Sequence, residues 1–155
     1  MSQRLTDRGS LALEYVIVAP LFLIVFGLVF AFFRVTQLNS LLDAGARDAA
    51  RAVSIDPDLS YSSVLRVAQE SVKFELNGGL GGCNRDNVSV DVRSLNAKTY
   101  QAYPKGTDLH PGDVARILVS CTYSLSDLGL PIPGLSGLHA TSVFAAMVDP
   151  NRSEQ

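Results

Sequence analysis

A chain of 155 residues with 13 basic and 15 acidic side chains, net charge −2, is sized for one domain with an appendage. That balance argues against nucleic acid as the main partner, because phosphate binding needs a basic surface. The hydrophobic fraction of 47% is ordinary, but much of it is crowded into residues 11–33, and residues 35–155 read as a soluble portion able to bury a modest core.

Residues 1–9, MSQRLTDRG, are polar and too short to fold. Nineteen residues without charge follow, Tyr15 to Phe33, bracketed by Glu14 and Arg34. About 20 residues at ~1.5 Å rise cross a hydrocarbon layer of about 30 Å, so the run is long enough to span one. A secretory signal has a shorter apolar region, about 7–15 residues, closed by small residues at its cleavage site. Here the run ends in Phe32, Phe33 and Arg34. The pattern points to a retained transmembrane segment over residues 10–34. Arginines flank it on both sides, Arg4 and Arg8 before and Arg34, Arg47 and Arg51 after, so the positive-inside rule does not orient it. Pro20 removes a backbone donor and crowds the carbonyl of Val16, which predicts a helix kink.

The helix is expected to continue past the lipid to about Ser54. Leu38, Leu41, Leu42, Gly45, Ala46, Ala49 and Val53 recur at helical spacing on one face, and that Ala/Gly-rich seam admits a close neighbour. Asp43, Arg47 and Arg51 lie four apart on another face, a spacing that pairs the acid with Arg47. Asp56-Pro57 ends the pattern. A second helix is expected from about Leu59 to Leu76, with Tyr61, Leu65, Ala68, Val72 and Leu76 as its apolar stripe and Asn77-Gly78-Gly79 as its stop.

Three strands follow. VSVDVRSL sets Val88, Val90 and Val92 on one face, and ARILVSCTYSL sets Ile117, Val119, Cys121 and Tyr123 inward; LHATSVFAAMV, Leu138 to Val148, completes the set. NAKTYQAYPKGTDLHPGD lacks a period and reads as a long loop with turns at Pro104-Lys105-Gly106 and Pro111-Gly112. LGLPIPGLSG is a turn region between the last two strands, compatible with a hairpin. Helices followed by strands argue an α+β fold: a long N-terminal helix, a second helix and a small antiparallel sheet of about three strands.

The residues that could carry chemistry leave several readings open. Cys83 and Cys121 would close a loop of about 38 residues, worth roughly 3–4 kcal/mol as a disulfide if the domain lies outside the cytoplasm. Two unlinked thiols or half a metal site are the alternatives, although no CxxC or HxxxH spacing accompanies them. His110 and His139 could in principle join a Ser-His-Asp set, but no G-x-S-x-G turn is present. GGLGG lacks the Lys-Ser/Thr of a phosphate-binding loop and reads as a connector. Nothing calls for a cofactor. Glu14 costs on the order of 1–3 kcal/mol at the mouth of a span. Either it lies at the interface, favoured by the positive helix N-terminus, or it awaits a cation such as an amino group freed by a cut just before the helix.

Gly9, Ser10, Leu11, Ala12, Leu13, Glu14 and Tyr15 resemble the processing motif of Flp-type (Tad) prepilins: glycine, cut, four residues, then Glu-Tyr. With the later proline, the DAGARDAARAVS stretch and the ILVSCTYSL and LHATSVFAAMV ending, the chain resembles the TadE-like pseudopilin family. The resemblance implies a prepilin leader over 1–9, cleavage between Gly9 and Ser10, assembly roles for Glu14 and Tyr15, and a pilin-like extracytoplasmic domain over 35–155. The chain is longer than a major Flp pilin and shorter than relatives with a von Willebrand-type domain, which suits a minor pilin.

The expected function is thus a non-enzymatic minor pilin or pseudopilin of Tad pilus assembly. Its partners would be a prepilin peptidase, other Tad pilins and pseudopilins, the inner-membrane assembly platform and the lipid bilayer. It would be a single-pass protein of the cytoplasmic membrane, N-terminus inside and C-terminal domain outside, reaching the cell surface on assembly. The alternative is an unprocessed single-span protein with an extracytoplasmic binding or sensor domain; an anchored hydrolase has little support.

Overall fold

The computed structural model describes residues 6–78, 83, 87–124 and 137–151, with side chains from Tyr15 onward. Residues 1–5 of the expected leader, 79–82 of the GGLGG connector and 128–136 of the LGLPIPGLSG turn region lie outside the described residues.

Among the described residues the elements are α1 (Thr6–Ile55), α2 (Tyr61–Glu75) with a 3-10 turn at Leu76–Gly78, and strands β1 (Val88–Leu95), β2 (Val114–Tyr123) and β3 (Leu138–Met147). The strands form one antiparallel sheet in the order β1-β2-β3. Both helices pack on one of its faces, α1 over β2 and β3 and α2 beside β1. The fold is α+β, as the order of the elements leads one to expect.

The core lies between these layers. α1 contributes Leu38, Leu42, Ala46, Ala49, Ala50 and Val53, all buried. Facing them, β2 turns Ala115, Ile117, Val119, Cys121 and Tyr123 inward, every second residue, as a pleated strand must. Fully burying a side chain the size of Leu38 or Ile117 is worth about 1.5–3 kcal/mol. Pairing Val90 with Val119 and Val92 with Ile117 fixes the register of β1. A slip of one residue would turn these valines to water.

The expected stripe holds at Ala68, Val72 and Leu76, all buried, and differs only toward the start of α2. Val64, Ala68 and Val72 are its buried residues, whereas Tyr61 and Leu65 are half-buried. The helix has two neighbours, α1 and β1, and the small residues of the α1 seam accept Val and Ala more closely than Tyr and Leu. Its start also moves from Leu59 to Tyr61. Ser60 stands in extended conformation before the first turn and makes no side-chain cap bond. Instead, Asp108 Oδ1 accepts the Tyr61 backbone N–H at 2.8 Å, and Asp58 Oδ1 accepts that of Ser60 at 3.0 Å. A carboxylate from a distant loop thus does the work of a local cap.

Loop 96–113 has the expected turns, with Gly106 and Gly112 at φ +89° and +86°, where a side chain would be strained. Its first part doubles back on β1: Tyr103 donates its N–H to the Ser94 carbonyl, and Leu95 bridges Ala102. Lys105 Nζ reaches Asp91 Oδ1 at 2.8 Å, and Arg93 Nε reaches Asp91 Oδ2 at 3.1 Å. The Lys105 bond, followed by that from Arg93, outweighs burial and holds the Asp91 carboxyl below its ordinary range. A carboxylate with a depressed folded-state pKa adds stability that is complete above the unfolded value and lost as pH falls through the folded one.

Two predictions follow from these contacts. An ideal Cβ on Gly45 would lie 3.7 Å from Val72 Cα, ordinary contact distance. Gly45→Ala should therefore stabilise the fold by roughly 0.5–1 kcal/mol through helix propensity. Gly45→Leu should cost roughly 1–3 kcal/mol by overpacking the seam, both read from thermal unfolding. Asp91→Asn should lower the unfolding midpoint near neutral pH, and the gap to wild type should shrink as pH falls from about 5 to about 2.

Candidate functional site

The motif residues Gly9, Ser10, Glu14, Tyr15 and Pro20 all lie within α1, whose 50 residues correspond to about 75 Å of helix. Ser10 and Glu14 are four residues apart, one turn along the helix and about 6 Å in rise, so they share a face. Pro20 is accommodated inside the helix without ending it. From Tyr15 to Phe33 the apolar side chains stand clear of the body: Tyr15 is 72% exposed, Phe22 67% and Phe32 73%. α1 is the one helix among the described residues long and apolar enough to cross a membrane. A cylinder of this kind needs lipid or other apolar helices around it, and with the family resemblance it marks the protein as membrane-associated. At the far end of the run, the Arg34 guanidinium folds back over the Phe30 ring at 5.1 Å. The cation that closes the apolar run is thereby kept beside an aromatic face.

Beyond Arg34 the helix enters the domain, and two contacts fix how it lies there. Ser142 Oγ donates to Asp43 Oδ1, and the Arg47 guanidinium sits 5.6 Å from the centre of the Phe144 ring. This corrects the expected Asp43–Arg47 pair: no ion pair joins them among the described residues, because each has a partner on β3. The two spacings are commensurate. Four residues of helix rise about 6 Å and two residues of strand about 6.7 Å. α1 therefore runs alongside β3 in the same sense. The sheet end formed by Leu95, Val114 and Met147 lies toward Ile55, away from the apolar run.

The remaining candidates fall into structural arrangements. Ser94 Oγ donates to Asp113 Oδ2 at 3.4 Å, the His110 N–H donates to the same oxygen at 3.3 Å, and His110 Nδ1 stands 3.5 Å from it. Serine, aspartate and histidine do meet, but in the wrong order. The carboxylate stands between the other two, so the imidazole cannot take the serine proton. The cluster ties the end of β1 to the start of β2. His139 is exposed, with Nδ1 3.0 Å from Thr122 Oγ1 across the β2–β3 ladder. Cys83 and Cys121 are joined by a disulfide with Cα atoms 5.8 Å apart, both ends buried. It pins the chain entering β1 to the middle strand. Among the described residues no group of three or more His, Cys, Asp or Glu stands together as metal ligands.

Reading the sequence did not reveal the Asp43–Ser142 and Arg47–Phe144 contacts, nor the charged set of Asp91, Arg93, Lys105 and Arg116 on the open face of the sheet. Strand alternation already places Asp91 and Arg93 on one face; only the register, which pairs Arg93 with Arg116, brings the rest together.

Residues 9–51 match the family model described as TadE-like protein. No curated protein and no solved structure matches the chain. The matched stretch begins at Gly9 and ends at Arg51, within the α1 seam, so the likeness covers the motif, the apolar run and the helix that enters the domain. From Gly9 to Arg51 the chain is similar to the TadE-like family, the family its motif resembles.

Proposed function

We propose that this chain is a non-enzymatic minor pilin or pseudopilin of the Tad pilus, cut between Gly9 and Ser10 by a prepilin peptidase. The observation that carries this reading is the TadE-like match, which starts at the glycine of the motif. The folded body stands outside the cytoplasmic membrane, in keeping with its disulfide. The N-terminus faces the cytoplasm. Other Tad pilins and pseudopilins, and the inner-membrane platform that assembles them, are its partners.

The chemistry follows from the positions on α1. Hydrolysis adds water across the Gly9–Ser10 amide, leaving a carboxylate on Gly9 and a free amine on Ser10. With a pKa of about 7.7–8.0, that amine is largely charged at neutral pH. Gly9 lies in the first turn of α1, where glycine is less favourable than alanine by about 1 kcal/mol. Opening that turn to present an extended backbone to the peptidase is correspondingly cheap. Once the cut is made, Glu14 is one turn from the new cation in its own helix and can equally meet the amine of a neighbouring subunit. Opposite charges attract strongly in a low dielectric, and a lone one is costly there. The pair sets the register in which apolar helices leave lipid and bundle. Tyr15 supports recognition or packing beside it, and the kink assigned to Pro20 shapes the part of the helix that packs in the bundle.

A second reading, an unprocessed single-span anchor with a binding or sensor domain, draws on the continuity of α1 through Gly9 and Ser10. The mass of the mature N-terminus separates the two. Loss of the first nine residues, leaving Ser10 as the amine, is the expected result; an intact leader sinks the pilin reading. Glu14→Ala should insert into membranes at the wild-type level yet enter sheared fibres or pilin complexes about a hundredfold less or worse, given about 3–5 kcal/mol for leaving a buried charge unpaired. Quantitative blotting of membrane and fibre fractions reads both quantities.

A further inference from the structure

The face of the sheet turned away from the helices is open. Its rows run Asp91, Leu118, Val143; then Arg93, Arg116, Ala145; then Leu95, Val114, Met147. Asp91, Arg93, Arg116 and Leu118, with Ala102 of the doubled-back loop as a wall, line a hollow of about 240 Å³. Two cations, Arg93 and Arg116, line it against a single lining carboxylate, Asp91, which Lys105 also contacts. That carboxylate is already taken at both oxygens by Lys105 and Arg93. Arg116 stands directly opposite Arg93 and has no acidic partner among the described residues. Like charges in facing positions of neighbouring strands repel, so the pair is stabilised by an anion from outside. Next to it, Val143 is 45% and Met147 58% exposed, forming an apolar margin.

The complement is present elsewhere on the same chain. α1 ends at Ile55, at the opposite end of the helix from the apolar run, and Asp56-Pro57-Asp58 follows as its tip. Ile55 is 72% exposed and Asp58 is exposed. Asp58 keeps its carboxyl below the ordinary range, chiefly through the Ser60 backbone N–H, so it is an anion at any neutral pH. No Lys or Arg occurs between Arg51 and Arg66 to offset it in sequence. The tip thus presents an apolar residue beside acids, and the hollow presents apolar residues beside Arg116 and an excess of positive charge. A lipid headgroup suits the hollow poorly, because the Arg93–Arg116 row lies at the sheet end remote from Arg34.

We propose that the hollow between Arg93 and Arg116 receives the Ile55–Asp58 tip of a second copy of this chain. Tip and hollow are different surfaces, so the contact is head-to-tail. Two copies joined once leave one tip and one hollow unoccupied, so further copies can add. Exposed ion pairs alone are worth little. The affinity comes from burying Ile55 against Val143 and Met147, and the charges select partner and register. The inference goes beyond the pilin reading and does not need cleavage at Gly9. A chain that keeps its leader but associates in this way would remove that reading and leave this contact standing.

The test uses the full chain in uncharged detergent micelles, with self-association followed by sedimentation at low and high salt. Wild type should self-associate, less so as salt rises. Arg116→Glu and Asp58→Arg should each weaken association about tenfold, the scale of a lost interfacial charge pair. An equimolar mixture of the two variants should recover it, because the reversed hollow of one meets the reversed tip of the other. That recovery also shows that both variants are folded. A chain that is monomeric at every concentration, single variants that associate like wild type, or a mixture no stronger than its components would overturn the proposal.

Discussion

Two contacts between α1 and β3 decide how this molecule is put together. The Asp43 carboxylate accepts the Ser142 hydroxyl, and one helical turn later Arg47 lies over the Phe144 ring. Neither is worth more than a kcal/mol or two by itself. Their value is in registry: a helix rises almost as far in four residues as a strand does in two, so both contacts form together or not at all. With them in place the long helix cannot slide or roll on the sheet. The direction in which the apolar segment leaves the domain is therefore fixed by residues ten or more positions downstream of it.

The same helix is made to suit two environments. From Tyr15 to Phe33 it is apolar on all sides and almost wholly exposed, a surface that only lipid or similar helices satisfy. From Leu38 on, its buried face shrinks to Gly45, Ala46, Ala49 and Ala50, and α2 settles against it. Small residues let the two backbones approach, and Leu38, Leu42 and Val53 supply most of the apolar volume at either end. On the other side of the core, the disulfide from Cys83 to Cys121 holds the chain entering β1 against the centre of the sheet.

Much of this was legible in the sequence because it is periodic. The inward set of β2 could be read by alternation, and the α1 seam by its three-and-four spacing. The join between the membrane segment and the soluble helix could be read because nothing between Arg34 and Ile55 breaks a helix. Glu14 stood out because a carboxylate at the mouth of an apolar run demands a reason, and its distance from Gly9-Ser10 supplied a candidate one. What escaped was whatever depends on partners distant in sequence. Asp43 has an arginine four residues on and a serine 99 residues on; local rules favour the first, and the sheet presents the second. The stripe of α2 shifted from Leu65 to Val64 because the shape of the α1 seam, not the helix's own hydrophobicity, sets its roll. Asp108 as a cap for Tyr61, and Arg116 facing Arg93, each require a loop path or a strand register that composition does not encode.

The parallel run of α1 and β3 bears on how the molecule carries load. Tension drawn through the membrane end of the helix acts along the strands and not across them. The ladders joining β3 to β2 and β2 to β1 are then stressed in shear, with many hydrogen bonds sharing the pull, whereas a perpendicular attachment would peel them one at a time. Rupture under such a pull is governed by the unfolding rate and not by equilibrium stability. The clasp between helix and strand thus acts as a mechanical coupling, passing force from the rod into the direction in which the sheet is strongest.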